Sequence, residues 1–199
     1  MDGTSQGRNT CVEAFDLTTS MVIFTLGKGK AWCALEIMSL TEIQRFLQNQ
    51  LLGRLAMATP DGVPYVIPMP FCYLNDFIYL RLPITGRKGS IIKANNRVCF
   101  EVDTCSPRMD YYASVIVDGV IAPVTSVVEK ATAREATTDK YRRLRDQYRP
   151  GHGRQTSLED LPTMRIAISC LSGRKIGEQS ERNVSCSQTP STEAKQSSV

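Results

Sequence analysis

A single histidine, His152, serves the whole 199-residue chain, and it stands between two glycines. Nucleophilic catalysis by Ser/His or Cys/His pairs therefore has little to work with, and His152 reads as a solvated loop residue. The seven cysteines (Cys11, Cys33, Cys72, Cys99, Cys105, Cys170 and Cys186) include no C-x-x-C pair, which argues against a structural zinc site. They read as reduced thiols, with Cys72 and Cys99 as small core residues inside apolar runs. No G-x-G-x-x-G follows a strand and no G-x-S-x-G elbow occurs; Gly27-Lys28-Gly29-Lys30 lacks the spacing of a triphosphate loop. Paired carboxylates on apolar strands are missing too, so acid/base hydrolysis ranks last among the reaction classes. No apolar run approaches the ~18 residues needed to span a bilayer. Residues 20–26 are apolar but short, and they follow acidic residues, unlike a secretory signal. The net charge of +4 is dispersed, without the basic face or arm that nucleic acid demands. A cytoplasmic protein with neither membrane nor nucleic acid as partner is expected.

What is present is ordinary globular composition, 42% hydrophobic and 22% charged, in a length that suits one domain. Three parts are expected. Residues 1–37 show no sustained period and read as an extension, a short strand plus a loose arm; Met38-Ser39-Leu40 itself resembles a natural chain start. Residues 38–176 form the folded domain. Residues 177–199 are Ser, Gln, Thr and Glu with almost no apolar content, too little to offset chain entropy, and are expected to be disordered.

Within the domain, Ser39 and Glu42 form a capping box, opening a helix with Leu40, Ile43, Phe46 and Leu47 on one face, which Gly53 ends. Strands are expected at 55–59 and 63–73, joined by the Pro60-Asp61-Gly62 turn, then at 77–82 after Leu74-Asn75-Asp76. A loop, 83–88, leads to a short helix, 90–95, and a fourth strand, 97–102. The fifth runs over 112–117 and continues at 120–124, past Asp118-Gly119. A charged helix, 129–148, buries Ala133, Ala136, Tyr141, Leu144 and Tyr148, and a last strand covers 164–171. Successive hairpins with interposed helices predict a mainly β (α+β) fold, an antiparallel barrel with flanking helices.

Two segments carry chemistry. Thr85-Gly86-Arg87-Lys88 stands between a strand and a helix. Glycine permits close backbone approach and threonine offers a hydroxyl. Arg87 supplies a planar fork, Lys88 a point charge and the helix its N-terminal dipole. All suit a phosphate monoester. A solvated basic turn is the alternative, and Gly173-Arg174-Lys175 repeats the tripeptide. The second segment is the strand with prolines at 64, 68 and 70, which needs a stretch of edge facing solvent or ligand. There Val66-Ile67-Pro68-Met69 offers apolar side chains and backbone groups, the two things a flat flavin ring needs.

The ordered series Gly53-Arg54-Leu55-Ala56-Met57-Ala58, Asp61-Gly62-Val63-Pro64-Tyr65-Val66-Ile67-Pro68, Phe77-Ile78-Tyr79-Leu80, Gly86-Arg87-Lys88, Asn95-Asn96-Arg97-Val98-Cys99-Phe100 and Ser114-Val115-Ile116-Val117-Asp118-Gly119 resembles the pyridoxamine 5'-phosphate oxidase-like FMN-binding split barrels. The resemblance covers residues 39–124 well and the last strand weakly. It implies a homodimer of six-stranded antiparallel split β-barrels, with two FMN sites at the subunit interface. It further implies that Arg87 and Lys88 hold the phosphate and that the backbone of Ile67 to Met69 lines the ring. Leu80 and Arg81 would sit beside the ribityl chain, and Ser114 would reach the flavin, often from the partner. Many relatives carry histidine and serine where this chain has Arg81 and Leu82. The carboxy-terminal tryptophan and arginine signature of the oxidase itself is absent, the single tryptophan being Trp32. The function expected is thus an FMN-dependent oxidoreductase whose substrate is not pyridoxamine phosphate. A non-catalytic flavin-binding or redox-sensing protein, a haem-handling relative using His152, and a deazaflavin binder are the alternatives.

Overall fold

A computed structural model describes residues 35–108, 110–148 and 161–177. Nearly all of the expected carboxy-terminal tail and of the amino-terminal extension, and His152 with its glycines, lie outside the described residues.

A two-residue strand β1 (Glu36–Ile37) precedes α1 (Leu40–Asn49), β2 (Leu52–Ala58), β3 (Pro64–Leu74) and β4 (Phe77–Arg81). Then come α2 (Gly86–Ala94), β5 (Arg97–Cys105), β6 (Tyr112–Pro123), α3 (Val127–Tyr148) and β7 (Thr163–Ile176). Six strands close an antiparallel barrel in the order β7-β4-β3-β2-β5-β6, with β6 pairing back onto β7. The seventh strand, β1, lies outside it, paired to the end of β7 through Glu36↔Lys175 and Ile37↔Arg174. The predicted mainly β barrel with flanking helices is therefore what the chain forms.

Alternation builds it. Leu55, Phe71, Ile78, Phe100, Val115 and Ile166 point inward and are fully buried or nearly so. The Pro60-Asp61-Gly62 turn forms as predicted, with Gly62 at φ +87°. β6 is one continuous strand. A register shift between Asp118 and Gly119 absorbs the expected break and lets β6 pair with β5 and β7 along its length.

The capping box is present: the Ser39 N–H donates to a Glu42 carboxylate oxygen (2.7 Å), and the Glu42 N–H donates to Ser39 Oγ (3.3 Å). Lys175 on β7 donates to the same carboxylate (2.7 Å), and these partners hold the Glu42 pKa down at about 2. The second Gly-Arg-Lys tripeptide is thus strand, with its lysine paired to acid. Ile43, Phe46 and Leu47 are buried as predicted, but Leu40 is exposed. Gly53 does not end α1, which stops at Asn49 with Gln50 extended. It sits inside β2, where a Cβ would meet the Phe100 ring at 2.4 Å, so its smallness serves packing.

Helix α3 lies against β3 and α1. Ala133 and Leu144 are buried, and Ala136 and Tyr141 are half-buried, as expected; the Tyr148 side chain lies outside the described residues. Tyr141 Oη donates to the Leu51 carbonyl and accepts from the Phe71 N–H at 3.0 Å. Beside it stands a residue the periodicity did not place inside. Lys140 is 6% exposed and donates to the carbonyls of Leu47 (3.0 Å) and Phe71 (3.1 Å), with its ammonium 3.7 Å from the Phe71 ring centroid. Burial pulls its pKa down to about 8.

Candidate functional site

β3 has one edge free over part of its length. Residues 64–70 pair with β2, whereas β4 pairs only with 71–74. Among the described residues no strand covers the other side of 64–70, and the three prolines fall within that stretch. Val66 and Pro68 are exposed, Ile67 is half-buried against the core, and Met69 is buried. Leu80 is fully buried, backbone included, and so presents no surface to a ligand. Arg81, half-buried, ends β4 close to the beginning of the next element.

That element differs from expectation in one respect. Helix α2 begins at Gly86 rather than at Ser90, so Arg87 and Lys88 belong to its first turn and not to a preceding loop. Two glycines hide the start from a propensity reading, and each has a physical role. Gly86 takes φ +64°, a conformation that side chains resist. At Gly89 a Cβ would lie 2.4 Å from the Ile84 carbonyl carbon, so the turn closes against the segment leading into it only with hydrogen there. Gly89→Ala is expected to push this turn off Ile84 and to destabilise the fold by about 1–3 kcal/mol. A lower denaturant midpoint at unchanged slope reports it; an unaltered midpoint contradicts it.

Thr85 is the N-cap of α2, extended at φ −122°, ψ 162°, and its hydroxyl makes no capping bond. The helix's first N–H groups are donors at this end of α2, where the dipole favours an anion. Ile91 and Ile92 anchor the helix in the core, and Asn95 Nδ2 donates to the Ala58 carbonyl (3.0 Å) on β2. Arg87 then crosses to β3. Its guanidinium carbon lies 4.6 Å from the centroid of Tyr65, the residue before the Val66 to Met69 stretch. Among the described residues neither Arg87 nor Lys88 has an acidic partner. The structure thus brings the Thr85-Gly86-Arg87-Lys88 segment together with the free-edged part of β3. Tyr65, which links them, was not singled out from the sequence; its only signal there is a place next to the proline-flanked run.

Ser114 is not brought to this cradle. It lies on β6, paired with Asp103 of β5 and Arg174 of β7, and β2 and β5 intervene between it and β3. Three strand spacings put it roughly 14 Å away along the sheet. The outer face between them carries Arg54, bound to Glu101 (2.8 Å) and to Asp103, carboxylates that raise its pKa. A shallow cavity of about 260 Å³ opens there between Asn49, Gln50, Arg54, Pro68 and Asp103. Leu52 and Val66 are 57% and 54% exposed on the same face.

The profile of pyridoxamine 5'-phosphate oxidase matches residues 39–175, more than half of the chain. The chain belongs to the pyridoxamine 5'-phosphate oxidase family. Of the solved structures similar to this family member, an FAD-binding protein from Mesorhizobium loti is 27% identical, with a TM-score of 0.54, over 71% of this chain and 97% of that one. The FAD binding protein of Mycobacterium smegmatis is 25% identical, with a TM-score of 0.53, over 72% of this chain and all of that one. A heme binding protein from Mycobacterium smegmatis, 20% identical with a TM-score of 0.50 over 66% and 52% of the two chains, shares the fold. No curated protein matches the sequence. Among the described residues, no helix is long and apolar enough to cross a membrane.

Proposed function

We propose that the chain is an FMN-binding oxidoreductase that works as a homodimer. The observation that carries this reading is the cradle at the start of α2: Arg87 and Lys88 without acidic partners among the described residues, the Thr85 hydroxyl free of capping, and Gly86 with open space where a side chain would stand. These groups fit a doubly charged phosphate ester better than any neutral ligand. The FAD-binding relatives support a flavin as the bearer of that phosphate.

When bound, FMN supplies hydride or electron exchange at its ring, chemistry that requires no histidine or paired carboxylate from the protein. The chain's own part is to hold the phosphate with Arg87, Lys88 and Thr85. It also turns the Val66 to Met69 stretch of β3 toward the ring and places Arg81, next to the buried Leu80, beside the sugar chain. Ser114 cannot serve the cradle of its own barrel, so its contact comes from a second copy. The exposed Leu52 and Val66 favour burial of this outer face in such a dimer.

Native mass spectrometry tests cofactor and partner together, the expected species being two chains carrying two FMN masses. A colourless preparation that takes up no FMN on titration overturns the flavin reading. A concentration-independent monomer overturns the dimer. Turnover with NAD(P)H and a nitroaromatic acceptor separates an enzyme from a protein that only stores the flavin, in which reduction and reoxidation would be slow.

A further inference from the structure

We infer that Tyr65 is the positioning residue of the anion grip: its ring holds the Arg87 guanidinium in place, ready for the phosphate. The inference rests on the proposed phosphate role of Arg87 and adds to it a residue outside the Thr85 to Lys88 segment. Tyr65 stands on β3 opposite Met57, which is buried, and its ring packs against the barrel core. The ring is therefore fixed while the arginine it meets, at 4.6 Å, is on the surface.

An exposed arginine ordinarily samples many rotamers, and ordering it on ligand binding costs conformational entropy. A ring face attracts the cation without supplying an oxygen acceptor, so the contact leaves the five N–H donors available to a phosphate. An acidic partner would hold the arginine equally well, but it would neutralise the charge and occupy the donors. Arg54 illustrates that alternative on the next strand, where Glu101 and Asp103 take its guanidinium. An aromatic clamp orders the side chain and keeps it functional. The phenol oxygen of Tyr65 has no hydrogen-bond partner among the described residues, so the ring is the part that acts.

The test titrates the full-length protein with FMN and with riboflavin, which has the same ring and sugar chain but no phosphate. Tyr65→Leu and Tyr65→Met should each weaken FMN about five- to tenfold, the range of a cation–π contact at a partly exposed site. Riboflavin binding should change less than twofold. Tyr65→Phe should restore FMN binding to within about twofold of the parent. In an Arg87→Gln background Tyr65→Leu should have no further effect, since the ring acts only through that guanidinium. The positioning role is overturned if both variants bind FMN like the parent, if FMN and riboflavin weaken equally, or if the loss persists in Arg87→Gln. Weak FMN binding by Arg87→Gln beside normal binding by the Tyr65 variants leaves the phosphate site standing and removes Tyr65 alone. A parent protein that binds no FMN removes both.

Discussion

Arg87→Ala is expected to lose about 1.5–3 kcal/mol of FMN affinity, roughly 10- to 150-fold in Kd, as measured by flavin fluorescence titration. The magnitude follows from charged hydrogen bonds to a doubly negative ester, made by a side chain whose donors meet no acid among the described residues. Its sign is insensitive to packing, because Arg87 is exposed and its removal opens no cavity. Arg87→Lys should recover only part of the loss, since an ammonium on a flexible stem cannot present two parallel N–H groups. Riboflavin, lacking phosphate, should bind parent and variant alike. Raising the salt concentration should narrow the gap for FMN, because the site is open to solvent and its charges are screened. Equal FMN affinity in parent and Arg87→Ala would remove the phosphate from this end of α2, and with it the main support for the flavin reading.

The barrel was legible in the sequence because strands such as β2, β5 and β6 alternate over most of their length and the turns carry proline, aspartate and glycine where the backbone requires them. Ser39 and Glu42 announced α1 for the same reason: a cap is a local device. What escaped depends on contacts distant in sequence. The start of α2 at Gly86 contradicts local propensity, since glycine weakens helices, and is explained only by the approach of Ile84 to Gly89. Gly53 looked like a helix stop until Phe100, from a strand far along the chain, was seen to occupy the space a side chain would need. Arg174 and Lys175 shared a tripeptide with the anion cradle but lie in β7, where Lys175 binds Glu42 and Glu36. Of the candidate site, the cluster at α2 and the free edge of β3 were both readable. The separation of Ser114 from them was not, because strand order is a property of the closed sheet and leaves no mark on local pattern. Lys140 is the sharpest case. Nothing in a helix rich in charge marks one lysine as buried, and only the carbonyls left open by the ends of α1 and the middle of β3 explain it.

That lysine makes the stability of the fold rise with pH where most proteins have begun to weaken. In the folded chain burial lowers the Lys140 pKa to about 8, against 10.5 when unfolded. Between these values the unfolded chain still holds the proton that the folded chain has released, so stability increases with pH across the window. The contribution is a penalty of about 3 kcal/mol below pH 8 that is gone above pH 10.5. Deprotonation need not break the clasp, since a neutral amine keeps two N–H groups, enough for the Leu47 and Phe71 carbonyls. Neighbouring groups act the other way. Burial raises the Cys72 thiol and pushes Tyr141 up to about 12, so their ionisation costs the fold stability as pH climbs. The nearby positive charge of Arg143 adds to the lowering of Lys140. The lysine is therefore read from a difference, the unfolding free energy of the parent minus that of Lys140→Met in urea at pH 7.5 to 10.5. The parent should gain about 3 kcal/mol on the variant over that range, whatever their order at neutral pH. Parallel curves would mean that the ammonium is solvated in the folded protein and that α3 is not held to the barrel through a buried charge.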